Sequence, residues 1–192
     1  MKKERLEAFS DGVIAILITI MVLELRIPEG DTWEALRPLM PVLLTYVLSF
    51  VNLGIYWSNH HHMFQAIDRV NGKILLANLH LLFWLSLIPF VTAWMGENHF
   101  APLPTAIYGG VLILAAVAYT ILAIALLAEQ GPHSRLARAL GRDVKGKMSI
   151  AIYAVAIVLA FVNRWMADAL YVFVALMWLV PDRRIESKLH DA

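Results

Sequence analysis

The sequence predicts an all-α, polytopic membrane protein of six transmembrane helices with both termini cytoplasmic. Three observations predict it. Hydrophobic residues make up 60% of the 192, and mean hydropathy is +0.66, where soluble domains carry about 45–50% apolar residues. Long charge-free runs alternate with short polar turns. Lys and Arg gather in alternate connections, as the positive-inside rule requires.

Helix 1 is expected over about Leu6 to Leu25 and is closed by Ile27-Pro28-Glu29-Gly30-Asp31, since Pro and Gly break helices. Its uncharged run, from Gly12 to Leu23, is 12 residues, or roughly 18 Å against a hydrocarbon core of about 30 Å. Glu7, Asp11 or Glu24 must therefore sit near or inside the apolar zone, and ionisable groups there mark a functional site by default. The run carries acidic neighbours and no small-residue cleavage site, so it is expected to stay as a mature helix.

Helix 2 is expected over about Leu39 to Trp57, with Pro38 and Pro41 in or before its first turn. Helix 3 follows over about Ile74 to Met95 and contains His80 and Pro89, and helix 4 over about Thr105 to Ala128. Gln130 to Lys147 reads as a basic connection with a short surface helix around Arg135 to Leu140. The final apolar stretch, Ser149 to Val180, has no Gly or Pro, and as one helix it would be about 48 Å long, too long for a straight crossing. A break near Asn163-Arg164-Trp165 makes it helices 5 and 6.

Charge supports that division. With the amino terminus inside and six spans, the inside segments hold Lys2, Lys3, Arg5, Arg69, Lys73, Arg135, Arg138, Arg142, Lys145, Lys147, Arg183, Arg184 and Lys188. That is 13 of the 16 Lys and Arg; only Arg26, Arg37 and Arg164 fall outside. Five spans would put Arg183, Arg184 and Lys188 on the wrong side. No internal repeat is evident, so residues 1–192 read as one domain.

Several function classes drop out. There are 0 cysteines, which excludes disulfides, thiol chemistry and cysteine metal sites. A net charge of +1 makes no case for nucleic acid. No P-loop, nucleophile elbow or Thr-Val-Gly-Tyr-Gly potassium filter occurs.

Two groups of residues remain as candidates. On helix 1, Ile16, Ile20 and Leu23 share one face, continued by Gly12 and Phe9, with Thr19 at its edge. Such a stripe in a membrane helix is ordinarily packing, and a lone Thr ordinarily bonds back to its own helix. At the end of helix 2 stand His60, His61 and His62. Adjacent helical residues point about 100° apart, so the three cannot meet one ion, and only His80 is available as a further ligand. Hydrogen bonding to the Ser10/Asp11 region, or titration near neutral pH, accounts for them better. Arg164 and Asp168, at i and i+4, suit a solvent-side pair worth little.

The opening Arg5-x-x-x-Phe9-Ser10-Asp11 resembles the signature of the transmembrane protein 175 potassium channels. Gly12-Val13-Ile14-Ala15-Ile16, Asn78, Leu85 to Phe90 and the close Trp178 to Arg184 are similar to that family too. Animal members carry two six-helix halves; this chain resembles the single-repeat prokaryotic form. The resemblance implies a homotetramer in the lipid bilayer of a prokaryotic inner membrane, with helix 1 lining a central pore. It implies an apolar constriction at Ile16, Ile20 and Leu23, a selectivity layer at Thr19, and a polar network of Arg5, Phe9, Ser10 and Asp11 with His60, His61, His62 and Asn78. Potassium would be the permeant ion near Ile16, Thr19 and Ile20, with no cofactor, no fixed metal and no catalytic residue. Rings of Ile and Leu close a pore by dewetting, and a threonine ring discriminates less sharply than a carbonyl filter.

Two other classes compete with the channel. A proton-coupled transporter would use Asp11 and the histidines as a relay and show saturating, proton-locked flux. A membrane metalloenzyme would use His60, His61, His62 and His80 and hold stoichiometric metal.

Overall fold

The computed structural model describes residues 2–67, 69–131, 134, 136–137 and 143–179. Among these the chain is helices joined by turns, with no strand. Of the expected surface helix at 135–140, only residues 136 and 137 are described, and Val180 to Arg184 lie outside the described residues, as does Lys188.

The first helix, α1 (Lys3–Leu23), starts three residues earlier than the apolar pattern suggests. At 21 residues it spans about 31 Å, enough to cross, and it does so by including the Glu4 to Asp11 polar turns. A short helix α2 (Trp33–Leu36) and a 3-10 turn at Arg37–Leu39 feed into α3 (Met40–Gln65). Pro38 and Pro41 sit where a proline costs no helical hydrogen bond. The run does not stop at Trp57: the whole histidine cluster lies within α3.

The expected third helix is two pieces, α4 (Gly72–Ser86) and α5 (Ile88–Glu97). Pro89 has no N–H to give the preceding turn, and Leu87 N bonds Trp84 O at 3.3 Å in a tighter turn at the break. Asn71 caps α4, its side chain accepting from Ile74 N at 3.0 Å. After two consecutive left-handed residues, His99 (φ 51°) and Phe100 (φ 57°), α6 (Pro102–Gln130) runs 29 residues to Gly131. The final pair is α7 (Val144–Ala160), capped by Asp143 on Gly146 N at 2.8 Å, and α8 (Arg164–Leu179). The break between them falls where the sequence places it: Asn163 N bonds Leu159 O at 2.7 Å, and Asn163 Oδ1 accepts from Trp165 N at 3.1 Å.

Four described stretches are long and apolar enough to cross a membrane: Lys3–Leu23, Trp33–Gln65, Gly72–Glu97 and Pro102–Gln130. The α7 and α8 helices are shorter, at 17 and 16 residues. In lipid the helices gain little from burying oil against oil, so close fit and interhelical hydrogen bonds hold the bundle. Gly96 shows the fit: a Cβ there would meet Thr45 Oγ1 at 2.6 Å and Val42 Cα at 2.7 Å, so α5 lies against α3 only because the residue is glycine. Ala115 and Ala118 of α6, Ala156 and Ala160 of α7 and Ala167 of α8 are likewise fully buried small residues.

Each helix also turns apolar side chains outward, α1 among them. Leu6, Ser10, Ile14, Leu17 and Met21 are buried against the bundle, while the opposite side has no cover from its own chain.

Candidate functional site

The uncovered side of α1 carries Phe9, Ile16, Ile20 and Leu23, with Ile16 57% and Leu23 80% exposed. Thr19 is exposed on the edge of the same side. Its hydroxyl donates to Ile16 O at 2.8 Å, so the proton is turned into the helix and the oxygen lone pairs are left outward. A Cβ added at Gly12, on the same side, would meet nothing within 4 Å.

The opposite side of α1 is held by a polar clasp. Ser10 Oγ donates to Leu6 O at 2.9 Å and accepts from Asn78 Nδ2 of α4 at 2.9 Å. Asn78 Oδ1 therefore faces the other way and accepts from His60 Nε2–H of α3 at 2.8 Å. That assignment fixes His60 as the Nε2–H tautomer, with Nδ1 bare and without a partner. All three residues are fully buried, and the His60 ring stacks on Phe64 with centroids 4.3 Å apart. Three helices meet in this one line of hydrogen bonds.

A second, more exposed set lies beside it. Trp57 Nε1 donates to Asp11 Oδ1 at 3.0 Å, and the Trp57 ring stacks on His61 at 6.0 Å. Gln65 Nε2 donates to His61 Nε2 at 2.8 Å, which puts the His61 proton on Nδ1. That nitrogen stands 2.9 Å from Glu7 Oε1, out of line for a hydrogen bond.

The three histidines thus do three different things, as a 100° step dictates: His60 is inside the clasp, His61 faces Glu7, and His62 is exposed. Arg5 is also exposed and belongs to neither set. His80, exposed where His60 is buried, accepts from Trp84 Nε1 at 2.9 Å. Among the described residues, no group of three or more His, Asp or Glu could hold a metal ion.

The structure also contains polar residues that the sequence reading does not single out. Ser49 Oγ of α3 lies 2.6 Å from Thr92 Oγ1 of α5 and 3.0 Å from the Tyr108 hydroxyl of α6. Asn52 Nδ2 donates to the same hydroxyl at 3.2 Å. A signal existed: Thr45, Ser49, Asn52, Tyr56 and Asn59 recur at helical spacing along one side of α3. Arg164 and Asp168 do not pair as expected. The guanidinium lies 5.2 Å from the Trp165 ring centroid, and both Asp168 oxygens are buried without a partner.

Comparison with known proteins bears on α1 to α4 first. Residues 5–89 match the family model described as the endosomal/lysosomal potassium channel TMEM175. The chain is 52% identical, over 191 residues and 100% of both chains, to a potassium channel of Chryseobacterium sp. (strain P1-3). It is 30% identical to the endosomal/lysosomal proton channel TMEM175 of Bos taurus over 84% of this chain and 37% of that one. Its fold superposes with a TM-score of 0.79, at 27% identity and covering 93% of this chain and 96% of the other, on the crystal structure of a lysosomal potassium-selective channel TMEM175 homologue from Chamaesiphon minutus. The signature Arg5-x-x-x-Phe9-Ser10-Asp11 opens the matched region, and full-length identity extends the match through α8: the chain is an integral membrane protein of the TMEM175 potassium channel family.

Proposed function

We propose that the protein is a potassium-permeable, modestly selective cation channel in a prokaryotic inner membrane, with residues 1–192 forming a single channel domain. Four copies surround an axis, and α1 of each lines it. Both termini lie in the cytoplasm, so that 13 of the 16 Lys and Arg face inward.

The observation that carries this reading is the uncovered side of α1. α1 is buried and clasped on one side and leaves Ile16, Ile20 and Leu23 open on the other, a face that copies of the chain can turn toward a common axis. Around an axis those side chains form apolar rings, and a narrow apolar neck expels water and hydrated ions. Thr19 contributes oxygen lone pairs one turn beyond Ile16, which favours a partly dehydrated cation. The clasp through Ser10, Asn78 and His60 sets the rotation of α1, so the same residues always face the axis. Asp11 and His61 lie beside the clasp at the amino-terminal end of α1, while Arg5, Phe9 and His62 stand exposed there.

The chain has 0 native cysteines, so single-cysteine variants give a clean test. Under mild oxidation L23C is expected to cross-link to a neighbouring copy, and L17C, on the buried side, is not. Bilayer recordings of the purified protein are expected to show potassium current exceeding sodium current, with T19A moving the reversal potential toward zero under bi-ionic conditions. No cross-link through Leu23 together with no cation current overturns the reading.

A further inference from the structure

We propose that Asp168 and Thr105 form a site for one alkali cation inside each subunit, away from the uncovered side of α1. The two residues flank a single contact between α6 and α8: the Tyr171 hydroxyl donates to the Thr105 carbonyl oxygen at 3.0 Å. Asp168 is one turn before Tyr171 on α8, and Thr105 is the residue that accepts. The Tyr171 ring meets Tyr108 edge-on, with centroids 5.5 Å apart, which closes the space on the bundle side.

Both flanking groups are unsatisfied. Thr105 is 0% exposed, and its Oγ1 has no hydrogen-bond partner; neither has either oxygen of Asp168, although both are buried. A carboxylate offers about four acceptor positions, and leaving them empty out of contact with water is costly, although Asp168 as a whole is only partly buried. Arg164, one turn earlier, attracts the carboxylate but gives it no hydrogen bond, its guanidinium lying over the Trp165 ring at 5.2 Å. A cation bound directly to the oxygens would fill the positions that Arg164 leaves empty.

The donor set says which kind. Carboxylate oxygens, a hydroxyl and an adjacent phenol are hard ligands, with no nitrogen or sulfur to recruit a transition metal. One carboxylate balances one charge, so a monovalent ion leaves the site neutral. Access is short: Thr105 is the fourth residue of α6 and Asp168 the fifth of α8. Each is therefore roughly 5–6 Å from its helix start, at the same end of the bundle. The ion enters from that aqueous face without passing α1.

Thermal unfolding of the full-length protein in detergent tests this directly. Potassium chloride is titrated against N-methyl-D-glucamine chloride at constant ionic strength and pH. The wild-type midpoint is expected to rise by about 3–6 °C toward saturation, as for any ligand bound only by the native state. D168N is expected to lose most of that rise, and T105V to shift the half-saturating concentration upward several-fold. Thallium, as a heavy substitute for potassium, is expected to give an anomalous density peak between the two side chains in crystals. A wild-type midpoint that ignores potassium overturns the proposal. So does a D168N protein that keeps the wild-type rise, or one that is more stable than wild type at every potassium concentration, which would mark Asp168 as a neutral acid. If D168N does not fold, T105V and the thallium peak decide: a T105V titration identical to wild type with no peak is equally fatal.

Discussion

Asn78 and Ser10, 68 residues apart, are joined by a 2.9 Å hydrogen bond in which the Asn78 amide donates to the Ser10 hydroxyl. Because the Ser10 proton is already given to Leu6 O, the direction of every bond in the clasp is determined, out to His60. The register of α1 follows from this line: a helix turned by one residue would carry Ser10 about 100° away from Asn78.

Ser10→Ala is expected to destabilise the protein by about 1–2 kcal/mol, since it strips a buried amide of one partner. Thermal unfolding in detergent measures this. Asn78→Leu removes the partner of both neighbours and is expected to cost more. Equal midpoints for wild type and Ser10→Ala would show that packing alone sets α1.

Ile16→Asn is expected to raise potassium conductance several-fold, because a polar ring keeps the neck wetted. Since Ile16 does not touch the clasp in α1's buried side, the unfolding midpoint should hardly move. A fall in current with an intact fold would place the narrowest point elsewhere.

Gly96→Ala is expected to cost about 1–3 kcal/mol through overpacking, because its Cβ would crowd Thr45 Oγ1 and the Val42 backbone. Thr45→Ala in the same chain removes one of the two crowding atoms and is expected to restore part of the loss. A double-mutant cycle on unfolding midpoints reads the coupling.

Tyr108→Phe separates the two polar groups of the bundle. It leaves Ser49 and Asn52 short of their shared hydroxyl and is expected to cost about 1–2 kcal/mol of stability. Tyr108 lies on α6 and is fully buried, so the potassium-to-sodium permeability ratio is expected to stay at the wild-type value. A changed ratio would tie this second group to conduction.

The class of the protein was legible in its sequence because span length, hydropathy and loop charge are local quantities. Six helices, the division at Asn163, the charged entry to α1 and the stripe Ile16-Ile20-Leu23 are all written in short windows of residues, and so is the family signature from Arg5 to Asp11. What only the tertiary structure decided are the pairings between distant segments. Any of three histidines could have met Ser10 or Asn78; the rotation of α3 selects His60, gives His61 to Glu7 and leaves His62 outside. Asp11 takes Trp57 rather than Arg5, His80 is taken by its own neighbour Trp84, and Pro89 divides one expected helix into α4 and α5. The polar side of α3 could be counted along the sequence, but that it faces Thr92 and Tyr108 depends on which helices pack together. A hydrogen bond needs about 3 Å between its atoms and a nearly straight angle, and that proximity is a property of the folded bundle, not of any window along the chain.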